Sequence, residues 1–302
     1  MSAILINMGR LFKPHVFVVV AVISLVLVSA IWLIIVSGLR RVVADVFRAD
    51  VIWLFYIVIA QSFAYWSYVI PYKYVFNIKY HEALRQSFTG FHPFRAGGGF
   101  IYDIKSHKTL IGRAKVLYLG LWEYAALAPA VFIAAIYSYS DRLIPTQLSL
   151  PWVIGVPAGL IVFMLVLASR KHIRNHPAIE QTLNLIHHML FEESPKHTMI
   201  LVVGMAMYWF GEVMTLYCSL QLFDLSLGWF AMLIAYASGY LITRRSLPLG
   251  GAGVVLITLS LALRFVGLKL SYAVLVAVTY QVANLSIPLI YGKILRLDST
   301  IR

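Results

Sequence analysis

The chain has 302 residues, 61% of them hydrophobic and only 12% charged, with a mean hydropathy of +0.83. A soluble domain is roughly 45–50% apolar and about 25% charged, so no water-soluble fold could hide this surface, whereas lipid tails solvate it directly. Lys and Arg outnumber Asp and Glu by 25 to 12, a net charge of +13. The basic residues sit in short loops with no recognition helix, which argues for anchoring at a membrane surface and against nucleic acid as a partner.

In chain order, Arg10 and Lys13 precede an apolar run over 16–39. That run is too long for a signal-peptide core and has no small-residue cleavage site, so it reads as a retained first span. A span needs about 20 predominantly apolar residues. Further candidates are 51–70, 116–138, 152–168, 198–220, 227–242 and 270–291, with Pro71, Pro151 and Gly228 expected at their ends. The stretch 177–193 is too polar to cross. Its Ile179, Leu183, Ile186, Leu190 and Phe191 recur at helical spacing, which predicts an amphipathic helix on the inner membrane surface.

Two stretches fit neither pattern. One is 82–112, with Gly97, Gly98 and Gly99; the other is 247–267, with Gly250, Gly251 and Gly253. Each directly precedes a long apolar segment. Irregular backbone at membrane depth survives only where protein or a water-filled cavity satisfies it, and Gly-interrupted segments at matching places in two halves point to a transporter's binding site. Gly97 lies 26 positions before Glu123 and Gly253 lies 28 before Gln281, a weak sign of a two-fold repeat over about 50–138 and 198–292 within one domain, 1–302. Two ordinary interhelical turns are the plain alternative.

Lys and Arg also set orientation. Loops 71–115 and 170–197 carry the excess and are expected in the cytoplasm, with 139–150 and 221–226 outside and the N-terminus inside. Arg40, Arg41 and Arg48 run against this scheme.

Ionisable groups within spans are expensive and default to functional candidates. Glu123 and Glu212 are two such groups, expected to face a shared polar cavity that also takes in Gln281 and Asn284. The amides, with Gln61, are more readily read as hydrogen-bonding glue between helices. Free N–H groups of a Gly-rich hairpin can hold a phosphate, and Arg244 and Arg245 precede the second hairpin. Tight packing by the glycines and anchoring by the arginines would leave the same pattern. His187 and His188 are adjacent and point about 100° apart on a helix, and no third ligand accompanies His172 and His176, so no metal site is expected. The single cysteine, Cys218, cannot form an internal disulfide. No catalytic arrangement and no call for a cofactor is apparent.

Several motifs are shared with one family. Trp209-Phe210-Gly211-Glu212, Ala235-Tyr236-Ala237-Ser238-Gly239, Leu247-Pro248-Leu249-Gly250-Gly251-Ala252-Gly253-Val254, Tyr280-Gln281 and Ile287-Pro288-Leu289-Ile290-Tyr291-Gly292 resemble the membrane region of lysylphosphatidylglycerol synthases. Gly97-Gly98-Gly99 and Trp122-Glu123 look like the first-half counterpart. The resemblance covers most of the chain and is densest over 197–292. It implies a bacterial or archaeal cytoplasmic membrane and a part in moving or handling lipids. Leu256 stands where that family usually has Glu, and Gln281 where it usually has Arg, which implies that the family's buried ion pair is absent as a pair. No aminoacyltransferase domain accompanies the membrane region, so synthesis of lysyl-lipid is not expected.

The sequence therefore predicts an all-α membrane bundle of about seven or eight segments with two Gly-rich re-entrant or broken-helix hairpins. The expected function is a flippase-like translocase for an amphiphile with an anionic or sugar headgroup. Its partners would be membrane lipids, lipid-linked glycans among them. A non-transporting partner of a lipid-modifying enzyme and a membrane-embedded transferase are the alternatives.

Overall fold

A computed structural model describes residues 49–89, 110–140, 146–168, 177–241 and 252–299, together with Ala44. The run 16–39 and Gly97, Gly98, Gly99, Arg244, Arg245, Gly250 and Gly251 lie outside the described residues. The described part is all helix: α1 (Ile52–Phe76), α2 (Tyr80–Thr89), α3 (Leu110–Ser140), α4 (Thr146–Ala168), α5 (Pro177–Phe191), α6 (Pro195–Gln221), α7 (Trp229–Tyr236), α8 (Ala252–Phe265) and α9 (Leu270–Ser299). Five of these, α1, α3, α4, α6 and α9, are long and apolar enough to cross a membrane.

Helix ends follow local chemistry. Pro195 opens α6 at a position whose N–H has no helical partner anyway. Asn77 ends α1 in the left-handed region (φ 52°), where its N–H reaches Tyr74 and that of Ile78 reaches Lys73, both at 3.2 Å. Pro71 and Pro151, expected at span ends, instead lie inside α1 and α4. Proline is tolerated within membrane helices because neighbouring elements make good the lost backbone bond. Here α6 accommodates the Pro71 ring with a glycine: a Cβ on Gly204 would sit 2.7 Å from its Cδ and Cγ.

The α1–α6 pair is the most extensive contact in the fold. It is antiparallel: Gly204 faces Pro71, and seven residues on, Gly211 faces Ala64. Small residues let the two backbones approach, the main route to helix association where solvent supplies no hydrophobic drive. α3 joins them through the ring of Lys115's neighbour across the contact, Phe76, over which the Lys115 ammonium sits at 5.7 Å. α5 lies against the same end, its Ile186 and Met189 buried and the Met189 carbonyl accepting from the Tyr118 hydroxyl at 2.9 Å. Phe191, expected on the apolar face, is 57% exposed and packs against the His187 ring instead.

One end of the bundle thus gathers the C-terminus of α1, the N-terminus of α3, α5 and the N-terminus of α6. The opposite end holds Asp50, whose N–H donates to Leu222 at the foot of α6, and the C-terminus of α3, where Tyr137 packs on Phe230 of α7. The candidate span 227–242 is not one regular helix. Gly228 caps α7, which after eight residues widens into a π-helical segment, Ala237–Leu241. α8, with 14 residues, spans about 21 Å, less than the roughly 30 Å hydrocarbon core of a bilayer. α7 leaves from the Asp50 end, and α8 returns toward that end before α9 begins. The two short helices touch where Thr258 Oγ1 donates to the Gly239 carbonyl at 2.6 Å. A Cβ on Gly239 would lie 2.5 Å from the Leu259 Cα, so the crossing requires a glycine there.

Candidate functional site

Polar side chains from three helices converge inside this apolar bundle. On α1, Gln61 and Tyr65 are one turn apart; on α9, Tyr280 and Asn284 are likewise one turn apart; between them α6 presents Glu212. Gln61 and Glu212 are fully buried, and Asn284 is 1% exposed. Gln61 Nε2 donates to Glu212 Oε1 at 3.1 Å, and Asn284 Nδ2 donates to Glu212 Oε2 at 3.1 Å. The Tyr280 hydroxyl donates to the same Oε2 in a short bond. Tyr65 completes the set, its hydroxyl placed at 2.8 Å from Asn284 Oδ1 and 3.1 Å from the Asn284 carbonyl.

The arrangement is chemically one-sided. A carboxylate only accepts, and each of these three groups gives Glu212 a donor. Tyr65 in turn fixes the Asn284 amide so that its NH2 faces Glu212. Two further buried amide oxygens lie on the same two helices, α1 and α9. Gln61 Oε1 and Gln281 Oε1 are buried and have no hydrogen-bond partner among the described residues.

Of the residues singled out in the sequence, Glu212 and Asn284 meet directly. Gln281 is buried on α9 next to Tyr280. Glu123 is 1% exposed on α3, and its backbone carbonyl accepts from Trp209 Nε1 at 2.6 Å, one turn before Glu212 on α6. Gly253 lies in the first turn of α8; the other hairpin glycines, Arg244 and Arg245 lie outside the described residues. Leu256 is buried on α8. Arg264 donates to the Leu268 carbonyl at 3.3 Å, in the turn between α8 and α9. His187 and His188 both face Glu192, at 3.8 Å and in a short contact respectively. Tyr65 and Tyr280 were not picked out as site residues from the sequence. The available signal was polar pairs at i, i+4 within otherwise apolar spans.

An apolar cavity of about 360 Å³ lies elsewhere, between α3 and α4; none of the predicted site residues lines it.

Comparison with curated proteins finds no match. Residues 17–292 match the model of the family described as the lysylphosphatidylglycerol synthase TM region. That match takes in every apolar segment described above, the Glu212 junction and both Gly-rich stretches, and the chain belongs to this family of multi-pass membrane proteins.

Proposed function

We propose that the protein is a lipid translocase that carries an amphiphile with a sugar or anionic headgroup past the Glu212 junction. The observation that supports this most is the convergence of three hydrogen-bonding side chains, one of them held by Tyr65, on one buried carboxylate inside an apolar bundle. Burying such a group costs a few kcal/mol (about 2.5 or more on insertion scales), and polar groups at that depth mark substrate pathways. The spare acceptors of Gln61 and Gln281 suit a headgroup rich in hydroxyl donors. In this reading Glu123 and Asn284 line the same route. A phosphate, where the lipid has one, is held by Arg244, Arg245 and the amides around Gly97–Gly99 and Gly250, Gly251 and Gly253.

The test is reconstitution in vesicles carrying fluorescent glycolipid or fluorescent phosphatidylglycerol, with a membrane-impermeant quencher added outside. The wild type is expected to expose inner-leaflet label that empty vesicles protect. Glu212→Gln is expected to slow that exchange while melting like the wild type in detergent. Wild-type protein that accelerates exchange of neither lipid sinks the translocase reading.

A second reading is a non-transporting partner that positions a lipid-linked substrate for a separate enzyme. The tight bonding of Glu212 to α1 and α9 favours it, because a rigid junction suits holding better than passage. It predicts lipid binding without exchange in the same vesicles.

A further inference from the structure

We propose that Gln61 and Gln281 receive the hydroxyl hydrogens of a lipid headgroup, so that the part of the lipid admitted beside Glu212 is an uncharged sugar. This deepens the translocase reading and rests on a headgroup reaching the Glu212 junction. Gln61 is fully buried and Gln281 is 2% exposed. The Oε1 of each has no hydrogen-bond partner among the described residues. A buried acceptor left open lowers stability, and folded proteins carry few of them. Leu or Met would fill either position without that cost. Gln61 Nε2 is committed to Glu212, while Gln281 follows Tyr280 on α9 and precedes Asn284 by one turn. Two amide oxygens held open on the helices that bond Glu212 point to a donor that comes from outside the protein.

The chemistry left over selects the donor. The hydrogens of the junction are spent: those of Gln61, Tyr280 and Asn284 go to Glu212, and that of Tyr65 goes to Asn284. Ser62 on α1, Thr215 and Ser219 on α6, and Thr279 and Ser286 on α9 each donate to the carbonyl four residues earlier, at 2.6–3.0 Å. A hydroxyl has one hydrogen to give, so these groups meet a ligand only as acceptors. Trp122 Nε1, a buried donor with no partner among the described residues, belongs to the lining of the α3–α4 cavity instead. A phosphate needs donors or cations around its oxygens. Beside Gln61 it would meet the Glu212 carboxylate, which repels it. An ammonium is drawn to a carboxylate, but Glu212 already takes three donors, and the oxygens left open are those of neutral amides. Sugar hydroxyls bring the hydrogens that these amide oxygens lack, and they accept in turn.

The test is native mass spectrometry of the full-length protein in detergent with lipids of identical acyl chains. The probes are glucosyl-diacylglycerol, the same lipid with every sugar hydroxyl O-methylated, phosphatidic acid, and a diacyl lipid with a primary ammonium headgroup. The glucosyl lipid is expected to bind about tenfold more tightly than its O-methylated form, the worth of one or two buried hydrogen bonds, and more tightly than either charged lipid. Gln281→Met removes an acceptor that no described residue uses, so it should melt at or above the wild-type temperature. Its preference for the uncapped sugar should nevertheless shrink several-fold, which a purely structural glutamine would not cause. Equal binding of capped and uncapped sugar, tighter binding of phosphatidic acid or of the ammonium lipid, or a wild-type preference in Gln281→Met overturns the proposal. If that variant does not fold, the capped and uncapped sugars on the wild type decide alone. Sugar-selective binding without exchange in vesicles sinks the translocase reading and leaves the recognition standing; exchange without sugar selectivity does the reverse.

Discussion

Glu212 makes its side-chain bonds to two other helices, and the kind of substitution decides what is lost. Glu212→Ala removes every acceptor at once and strands the Gln61, Tyr280 and Asn284 donors, each at about 1–3 kcal/mol when buried; melting in detergent should fall steeply. Glu212→Gln keeps one oxygen for Tyr280 and Asn284 and turns an NH2 toward Gln61. The Gln61 amide answers by flipping, because its Oε1 has no partner to lose among the described residues. Glu212→Gln should therefore melt within a few degrees of the wild type. The swap Gln61→Glu with Glu212→Gln keeps a carboxyl–amide pair at the same contact and should also melt normally. If lipid exchange needs the carboxylate on α6, the swap will not restore it; exchange at the wild-type rate in the swapped protein would reduce the requirement to one carboxyl anywhere in the junction. Glu212 stood out in the sequence as a lone acid among apolar residues. Tyr65 and Tyr280 did not, because tyrosines are frequent in these spans and only the three-dimensional convergence of α1 and α9 gives these two a shared partner.

Two classes of glycine behave oppositely at the level of the helices. Gly211→Ala places a Cβ 2.7 Å from the Ala64 backbone nitrogen, which only separation of α1 and α6 can relieve. Overpacking of this kind costs about 1–3 kcal/mol, so the melting temperature should drop. Gly155→Ala meets no atom of the described residues and exchanges a poor helix former for the best one, a gain of up to about 1 kcal/mol. Equal melting of the two variants would refute the close packing of α1 on α6. Much of the element pattern was legible in hydropathy: α1, α3, α4, α6 and α9 all contain a run flagged by their apolar length, and the polar, periodic stretch at α5 is a helix. Proline misled at Pro71 and Pro151, because a rule for helix ends in water does not hold where lipid penalises any exposed backbone group. The run 227–242 misled for the opposite reason. Its composition is that of a span, yet the chain turns π-helical where Gly239 packs on Leu259, which composition does not encode.

For the molecule as a whole, the packing separates two loops that charge also separates. α3 and α6 carry Ser140 and Ser194 at opposite ends of the bundle, Ser140 closing α3 and Ser194 capping α6 beside α5. The excess of Lys and Arg in 71–115 and 170–197 predicts that the Ser194 end is cytoplasmic. In a Cys218→Ala background, a cysteine at position 140 should react with an impermeant maleimide added to intact cells and one at position 194 should not. The reverse pattern would invert the assigned orientation. Cys218 is itself buried, so its removal serves only to silence the background.

The pair α7 and α8 enters and leaves at one end of the bundle, and this has a consequence for biogenesis. Neither described helix is long enough to cross the bilayer by itself, and Val255, Leu259 and Leu263 of α8 share one buried cluster with Ala273, Val276 and Tyr280 of α9. α9 leaves the ribosome after α8. At about 5–20 residues per second, the hairpin waits on the order of seconds for its cover. During that interval it is the part of the nascent chain most in need of a chaperone or insertase. A chain ended after Leu268 should be degraded far faster than the full-length protein, and adding α9 back as a separate segment should protect it. A truncated chain as long-lived as the whole would show that the hairpin seats without α9.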